Sequence, residues 1–136
     1  MNFLKQLCKD FDIDILYVFG NGAREVRNWV AERVEKIFFN SLNVDIGVRP
    51  LTERRFGFKK RVFLTIALEN FLGVNKVNLV VIPEADLLLA ANIIHGERLF
   101  FRNEYEADEY ELYVLRRAGK LLPFKEERHE FIFGKN

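Results

Sequence analysis

Three short runs rich in β-branched and aromatic residues constrain this chain most: DILYVFG (14–20), NVDIGV (43–48) and KVNLVVI (76–82). Each ends in glycine or is followed within two residues by proline. Apolar runs of this length, bounded by chain breakers, read as strands. Between them lie segments of helical period. Residues 22–39 place Val26, Trp29, Val30, Val34, Ile37 and Phe38 at helical spacing. Residues 58–72 do the same with Phe58, Val62, Phe63, Ile66, Ala67 and Phe71, which mark the apolar face expected of a second amphipathic helix, with Gly73 placed to end it. A helix at 3–10, one at 84–94, a strand at 98–102, a helix at 103–118 ending near Gly119, and a last short helix opened by Pro123 complete the order. Strands separated by helices predict an α/β (α+β) domain, about four strands with helices packed around them.

The chain's 136 residues suit one domain spanning 1–136, and no repeat, linker or low-complexity tract divides it. Apolar residues make up 49% and charged residues 30%, too apolar a balance for a disordered chain. No uncharged apolar run approaches the ~20 residues that cross a bilayer, so no membrane span is expected. The opening MNFLKQLCKDFD lacks the long apolar core of a secretory signal. Cys8 is the sole cysteine, which excludes an internal disulfide and a thiolate metal cluster. A reducing cytoplasm is the expected setting. The net charge of +1 selects neither nucleic acid nor an anionic membrane, but the halves differ. Residues 1–68 carry 12 basic and 8 acidic side chains, whereas residues 69–136 carry 9 and 12.

Three places could carry chemistry. In YVFGNGAREV (17–26) a strand passes through Gly20 and Gly22 into a helix. Such a passage is either a turn that needs positive φ or one whose amides, at the start of the helix, hold a phosphate. In Ser41-Leu42-Asn43-Val44-Asp45-Ile46, alternation puts Asn43, Asp45 and Gly47 on one strand face and Val44, Ile46 and Val48 on the other. Asp45 is then either a metal-facing or phosphate-facing carboxylate or a strand end in solvent. Asn78 is a lone amide inside an apolar strand, where a hydrogen-bonded structural role is the simpler reading.

Together these places resemble the minimal nucleotidyltransferases of the DNA polymerase β-like superfamily. FGNGARE is similar to that family's Phe-Gly-Ser-x-Ala-Arg-Gly turn, SLNVDIGV to its Ser-Asp-x-Asp-Leu-x-Val strand, and VNLVVI to its later Val-Asp-Leu-Val strand. IIHGERLFF resembles the helix-to-strand step before the family's last helices and RRAGKLLPFKEERHEF their closing segment, so the likeness spans about residues 12–131, with a helical tail at about 103–133. The resemblance implies a mixed sheet. It also implies a turn (Gly20, Asn21, Gly22, Arg24) that holds a nucleotide triphosphate such as ATP, and carboxylates on two strands that hold Mg²⁺ for transfer of AMP. A two-ion displacement needs enough anionic oxygen to hold both ions.

The departures fall on the catalytic positions. Asn21 stands for the motif serine and Glu25 for the glycine after the arginine. Asn43 and Asn78 stand for the first and third carboxylates, which leaves Asp45 as the family's remaining metal ligand. A carboxamide coordinates through oxygen but brings no charge. Glu25 and Glu69 are the acids that could compensate, although each also reads as a surface helix charge. Asp12 and Asp14 copy the carboxylate spacing, but they start the first strand while the turn ends it. At ~3.3 Å per residue they lie on the order of 20 Å away, and they are expected in solvent.

Arg49, Arg54, Arg55, Lys59, Lys60 and Arg61 read as the wet side of a helix or as phosphate contacts. His95 and His129 lack neighbours with metal-ligand spacing. Tyr105, Tyr110, Tyr113 and Phe131-Ile132-Phe133 offer aromatic surface. Many proteins of the resembled family are antitoxins that modify or cover a HEPN-domain RNase. The expected function is therefore a catalytically impaired binding module, an antitoxin-like partner of a HEPN protein. Glu104, Glu106, Asp108, Glu109 and Glu111 would then meet a basic partner. The alternatives are an active Mg²⁺-dependent nucleotidyltransferase using ATP, and a self-associating scaffold that forms a homo-oligomer.

Overall fold

The computed structural model describes residues 2–32 and 43–121. Helix α1 (Asn2–Asp10) leads into strand β1 (Ile13–Phe19), and α2 (Ala23–Glu32) follows. Strand β2 (Asn43–Pro50) is joined through a 3-10 turn at Glu53–Arg55 to α3 (Phe58–Leu72). Strand β3 (Lys76–Val81), a second 3-10 turn at Ile82–Glu84, α4 (Leu87–Ile94), β4 (Glu97–Phe101) and α5 (Glu104–Leu121) complete the order. No helix among the described residues is long and apolar enough to cross a membrane.

The strand order is β3-β2-β1-β4. β1 runs antiparallel to both neighbours and β2 parallel to β3, so the sheet is mixed, as expected. Alternation along β1 divides the core. Ile13, Leu16 and Val18 join α1, α2 and α3 on one face, while Ile15, Tyr17 and Phe19 join α4 and α5 on the other. From Ile15 to Phe19, β1 is thus buried on both faces, which explains the apolar run that follows Asp14. Burial raises the thiol pKa of Cys8, inside the first cluster, to about 12.

Several expectations are corrected. The face of β2 bearing Asn43, Asp45 and Gly47 runs from an exposed end at Asn43 into a second interior at Gly47, which the sequence reading did not anticipate. Gly47 is buried, and a Cβ there would lie 2.5 Å from Cγ2 of Ile93, so α4 packs directly on this strand. Helix α4 starts at Leu87, not 84, because the Asp86 carboxylate caps it by accepting from the Leu89 N–H at 2.9 Å. Helix α5 continues through Gly119 to Leu121. Residues 33–39 of the second expected helix and the helix opened by Pro123 lie outside the described residues, as do Ser41, His129 and Phe131–Phe133.

The largest correction concerns α3, whose bounds and left-handed end at Gly73 (φ 70°) match the expectation. Its buried face is Leu64, Leu68 and Leu72. Phe58, Val62, Phe63 and Ile66, read from sequence as the core stripe, are exposed by 81%, 36%, 56% and 47%. The helix is apolar on both sides, so periodicity alone could not choose the inner one.

Candidate functional site

β1 ends at Phe19, and the chain turns through Gly20 (φ 78°) and Gly22 (φ 82°) into α2. The Ala23 N–H donates to the Gly20 carbonyl at 3.2 Å and the Val26 N–H to the Gly22 carbonyl at 3.0 Å. Both glycines occupy the left-handed region, where a side chain costs ~1–2 kcal/mol. Gly20 meets a second requirement, because a Cβ there would stand 2.8 Å from Oδ2 of Asp45.

The sheet register makes that approach. Phe19 pairs with Asp45 across β1 and β2, and Asp45 pairs with Asn78 across β2 and β3. The Asn78 amide donates through Nδ2 to Oδ1 of Asp45 at 2.9 Å. One carboxylate oxygen thus accepts from an amide while the other faces the glycine turn. Asn43, opposite Lys76, begins the same strand face and is exposed. Asn21 on the turn and Arg24 on the first turn of α2 are exposed as well. The structure therefore gathers Gly20, Asp45 and Asn78 at one end of the sheet, with Asn43 on the same face of β2.

The acids considered as replacements serve elsewhere. Glu69 on α3 accepts the Val77 N–H at 2.9 Å, and Glu25 is exposed on α2. Asp12, expected in solvent, pairs with Lys60 at 2.8 Å, which lowers its pKa. Asp14 pairs with Arg49 at 3.3 Å, yet burial outweighs that cation and leaves its pKa raised. Three of the six basic residues are thus engaged within the chain, since Arg61 also holds Glu84 and Arg49 covers the Tyr110 ring at 4.1 Å. His95 ends α4 and is exposed.

Among the described residues, no three His, Cys, Asp or Glu side chains lie together as a metal set. The family positions present one carboxylate and two carboxamides. That donor set supplies a single negative charge and does not fit a pair of Mg²⁺ ions.

A polar network that sequence reading missed lies on the α5 side of the sheet. Tyr17 is fully buried, and its O–H donates to Glu111 at 2.6 Å. Burial, and then Glu111, push the Tyr17 pKa up. Arg98 on β4 donates to Glu111 at 2.9 Å and to Asp108 at 3.0 Å. Of the five acids proposed to meet a partner, Asp108 and Glu111 are engaged here, and Glu104, Glu106 and Glu109 are exposed. The lone tyrosine in the apolar run of β1 was the available signal, since a buried phenol needs a partner.

No protein-family profile and no curated protein matches the sequence. Solved structures do match. A chain of the MntA–HepT toxin–antitoxin complex is 19% identical, with a TM-score of 0.61 over 96% of this chain and 92% of that one. A chain of the toxin–antitoxin structure with AMP-PNP gives 19% and 0.61, over 96% and 94%. A chain of the complex of the tri-AMPylated HEPN toxin of Shewanella oneidensis with its MNT antitoxin gives 17% and 0.62, over 96% and 91%. The order of elements, the mixed four-stranded sheet and these matches agree: the chain has the minimal nucleotidyltransferase fold.

Proposed function

We propose that this protein is an antitoxin-type partner of a HEPN-domain toxin in the cytoplasm, and that its own nucleotidyl transfer is impaired. The observation that carries the reading is the hydrogen bond from Asn78 to Asp45 at 2.9 Å. It joins an amide to a carboxylate where the resembled family has two carboxylates. The solved complexes of this fold with HEPN toxins support the choice of partner. The Gly20–Gly22 turn and the first amides of α2 retain the form of a phosphate cradle, with Arg24 beside it. ATP would be held there by the turn, and any Mg²⁺ by Asp45 with neutral oxygens alone. Binding of the toxin needs only surface, and exposed Glu104, Glu106 and Glu109 suit a basic partner.

Incubation of the protein with radiolabelled Mg²⁺-ATP and a HEPN-domain toxin, taken from beside its gene where one is encoded there, tests this. A stable complex on a sizing column with negligible labelling is expected. Robust labelling of the toxin that disappears in Asp45→Ala would overturn the impaired reading and establish the active transferase. Absence of any complex would overturn the antitoxin reading.

A further inference from the structure

Among the described residues, β3 is an edge strand with no strand beyond it. The Val77 N–H points away from β2, because it donates to Glu69 on α3 at 2.9 Å. Alternation along the strand then turns the backbone groups of Leu79 and Val81 outward too, while Asn78 and Val80 face β2. Glu69 covers one outward donor, and no other described residue takes the N–H or C=O of Leu79 or the N–H of Val81. Beside them runs a cavity of about 580 Å³, walled by Val62 and Ile66 of α3, Leu79 of β3 and Leu89 of α4. This is also the side on which α3 exposes apolar residues. An open edge flanked by exposed apolar side chains is a template for strand pairing.

We propose that a second copy of this chain covers this edge, with β3 pairing antiparallel to β3 about a twofold axis through Leu79. The inference goes beyond the proposed function and does not depend on it. Three features favour a second copy over another partner. First, the open groups are self-complementary: Leu79 offers one donor and one acceptor to its own equivalent, and the Val81 N–H meets the carbonyl of Val77 in the other copy. The Val77 N–H stays with Glu69, so the shared ladder is four bonds long.

Second, the twofold axis keeps α3 of both copies on one side of the joined sheet and runs them antiparallel. Val62, Phe63 and Ile66 of each copy then lie toward the other's cavity, and the helix dipoles oppose.

Third, the charges fit. Register about Leu79 puts Lys76, exposed at the start of β3, beside the other copy's turn at Ile82–Glu84. The antiparallel run of the helices keeps the two basic starts of α3 apart, and within each copy Lys60 is paired with Asp12 and Arg61 with Glu84.

Sedimentation equilibrium and amide hydrogen exchange on the full chain, without a partner protein, test the proposal. The expected results are a concentration-dependent dimer mass and exchange at Leu79 and Val81 that slows as the dimer forms. Ile66→Lys, on the exposed face, should weaken association about tenfold or more while leaving the far-UV circular dichroism spectrum of the folded chain unchanged. Leu79→Pro removes an outward donor that β2 does not use and should also give monomer. If that variant fails to fold, Ile66→Lys and wild-type exchange still decide. A mass of one chain at every concentration, a dimer indifferent to Ile66→Lys, or Leu79 exchange independent of concentration would each overturn it.

Discussion

Replacing Gly20 by alanine tests the packing of the candidate site. Both turn glycines have left-handed φ, 78° at Gly20 and 82° at Gly22, so alanine at either costs ~1–2 kcal/mol of backbone strain. They differ in what a Cβ would meet. At Gly22 nothing lies within 4 Å, whereas at Gly20 the Cβ would stand 2.8 Å from Oδ2 of Asp45. Real contacts of this kind do not occur, so Asp45 must shift, and its bond from Asn78 loosens with it. A hydrogen bond to a charged group contributes about 1.5–3 kcal/mol when fully lost, and this half-exposed one belongs at the lower end. Gly20→Ala should therefore cost about 2–4 kcal/mol and Gly22→Ala about 1–2 kcal/mol. Urea unfolding followed by Trp29 fluorescence reads both, with an unchanged m-value as the check that the unfolded state is not involved. The same pair is then measured in an Asn78→Ala background, where Asp45 is free to swing away. There the excess at Gly20 should shrink, because the two sites are coupled only through that carboxylate. Equal costs at the two glycines, or an excess that survives Asn78→Ala, would refute the reasoning.

Tyr17→Phe should lower stability by about 1–2 kcal/mol in urea unfolding, since it removes a buried hydrogen bond but leaves Glu111 its contact with Arg98. Asn78→Asp should place a second carboxylate against Asp45, so that one of the pair has a raised pKa in the folded state. Stability of that variant is then greatest below the unfolded carboxylate pKa and falls as pH rises through the raised value. Thermal melts across pH should show this. At neutral pH, added Mg²⁺ should recover more of the melting temperature in the variant than in the wild type.

The frame was legible because its signals are local. β1, β2 and β3 announce themselves by β-branched runs ended by glycine or proline, and α3 by its period and Gly73. Register was partly legible too: alternation places Asn43 and Asp45 on one face, and the family likeness pairs that face with Asn78 and the turn. What could not be read depends on contacts between distant segments. Either face of α3 could have been the inner one, since Leu64, Leu68 and Leu72 repeat at the same spacing as Phe58, Val62 and Ile66. The second interior above β2 was hidden because Gly47 has no side chain to signal burial, and only Ile93 of α4 reveals it. The ion pairs of Asp12, Asp14 and Arg98 join residues from 10 to 48 positions apart, beyond any local pattern.

On the proposed reading, the same contacts account for a site short of carboxylates in a sound fold. Carboxylates gathered for metal ions repel one another until the ions arrive, so a catalytic cluster stores instability in the empty protein. Here Asn78 turns that repulsion into attraction: its amide donates to Asp45, and the remaining carboxylate oxygen faces a glycine that admits it. β2 and β3 are thereby tied at the end of the sheet where the family site would pull them apart. On the proposed reading, an amide rather than an acid at position 78 lowers the charge available for two-ion chemistry and supplies the cross-strand bond to Asp45. On that reading the scaffold would not depend on metal, and exposed Glu104, Glu106 and Glu109 of α5 would remain free for contact. Selection on binding at that surface can therefore act without disturbing the turn, and a fold shaped for transfer is stable as a platform for contact.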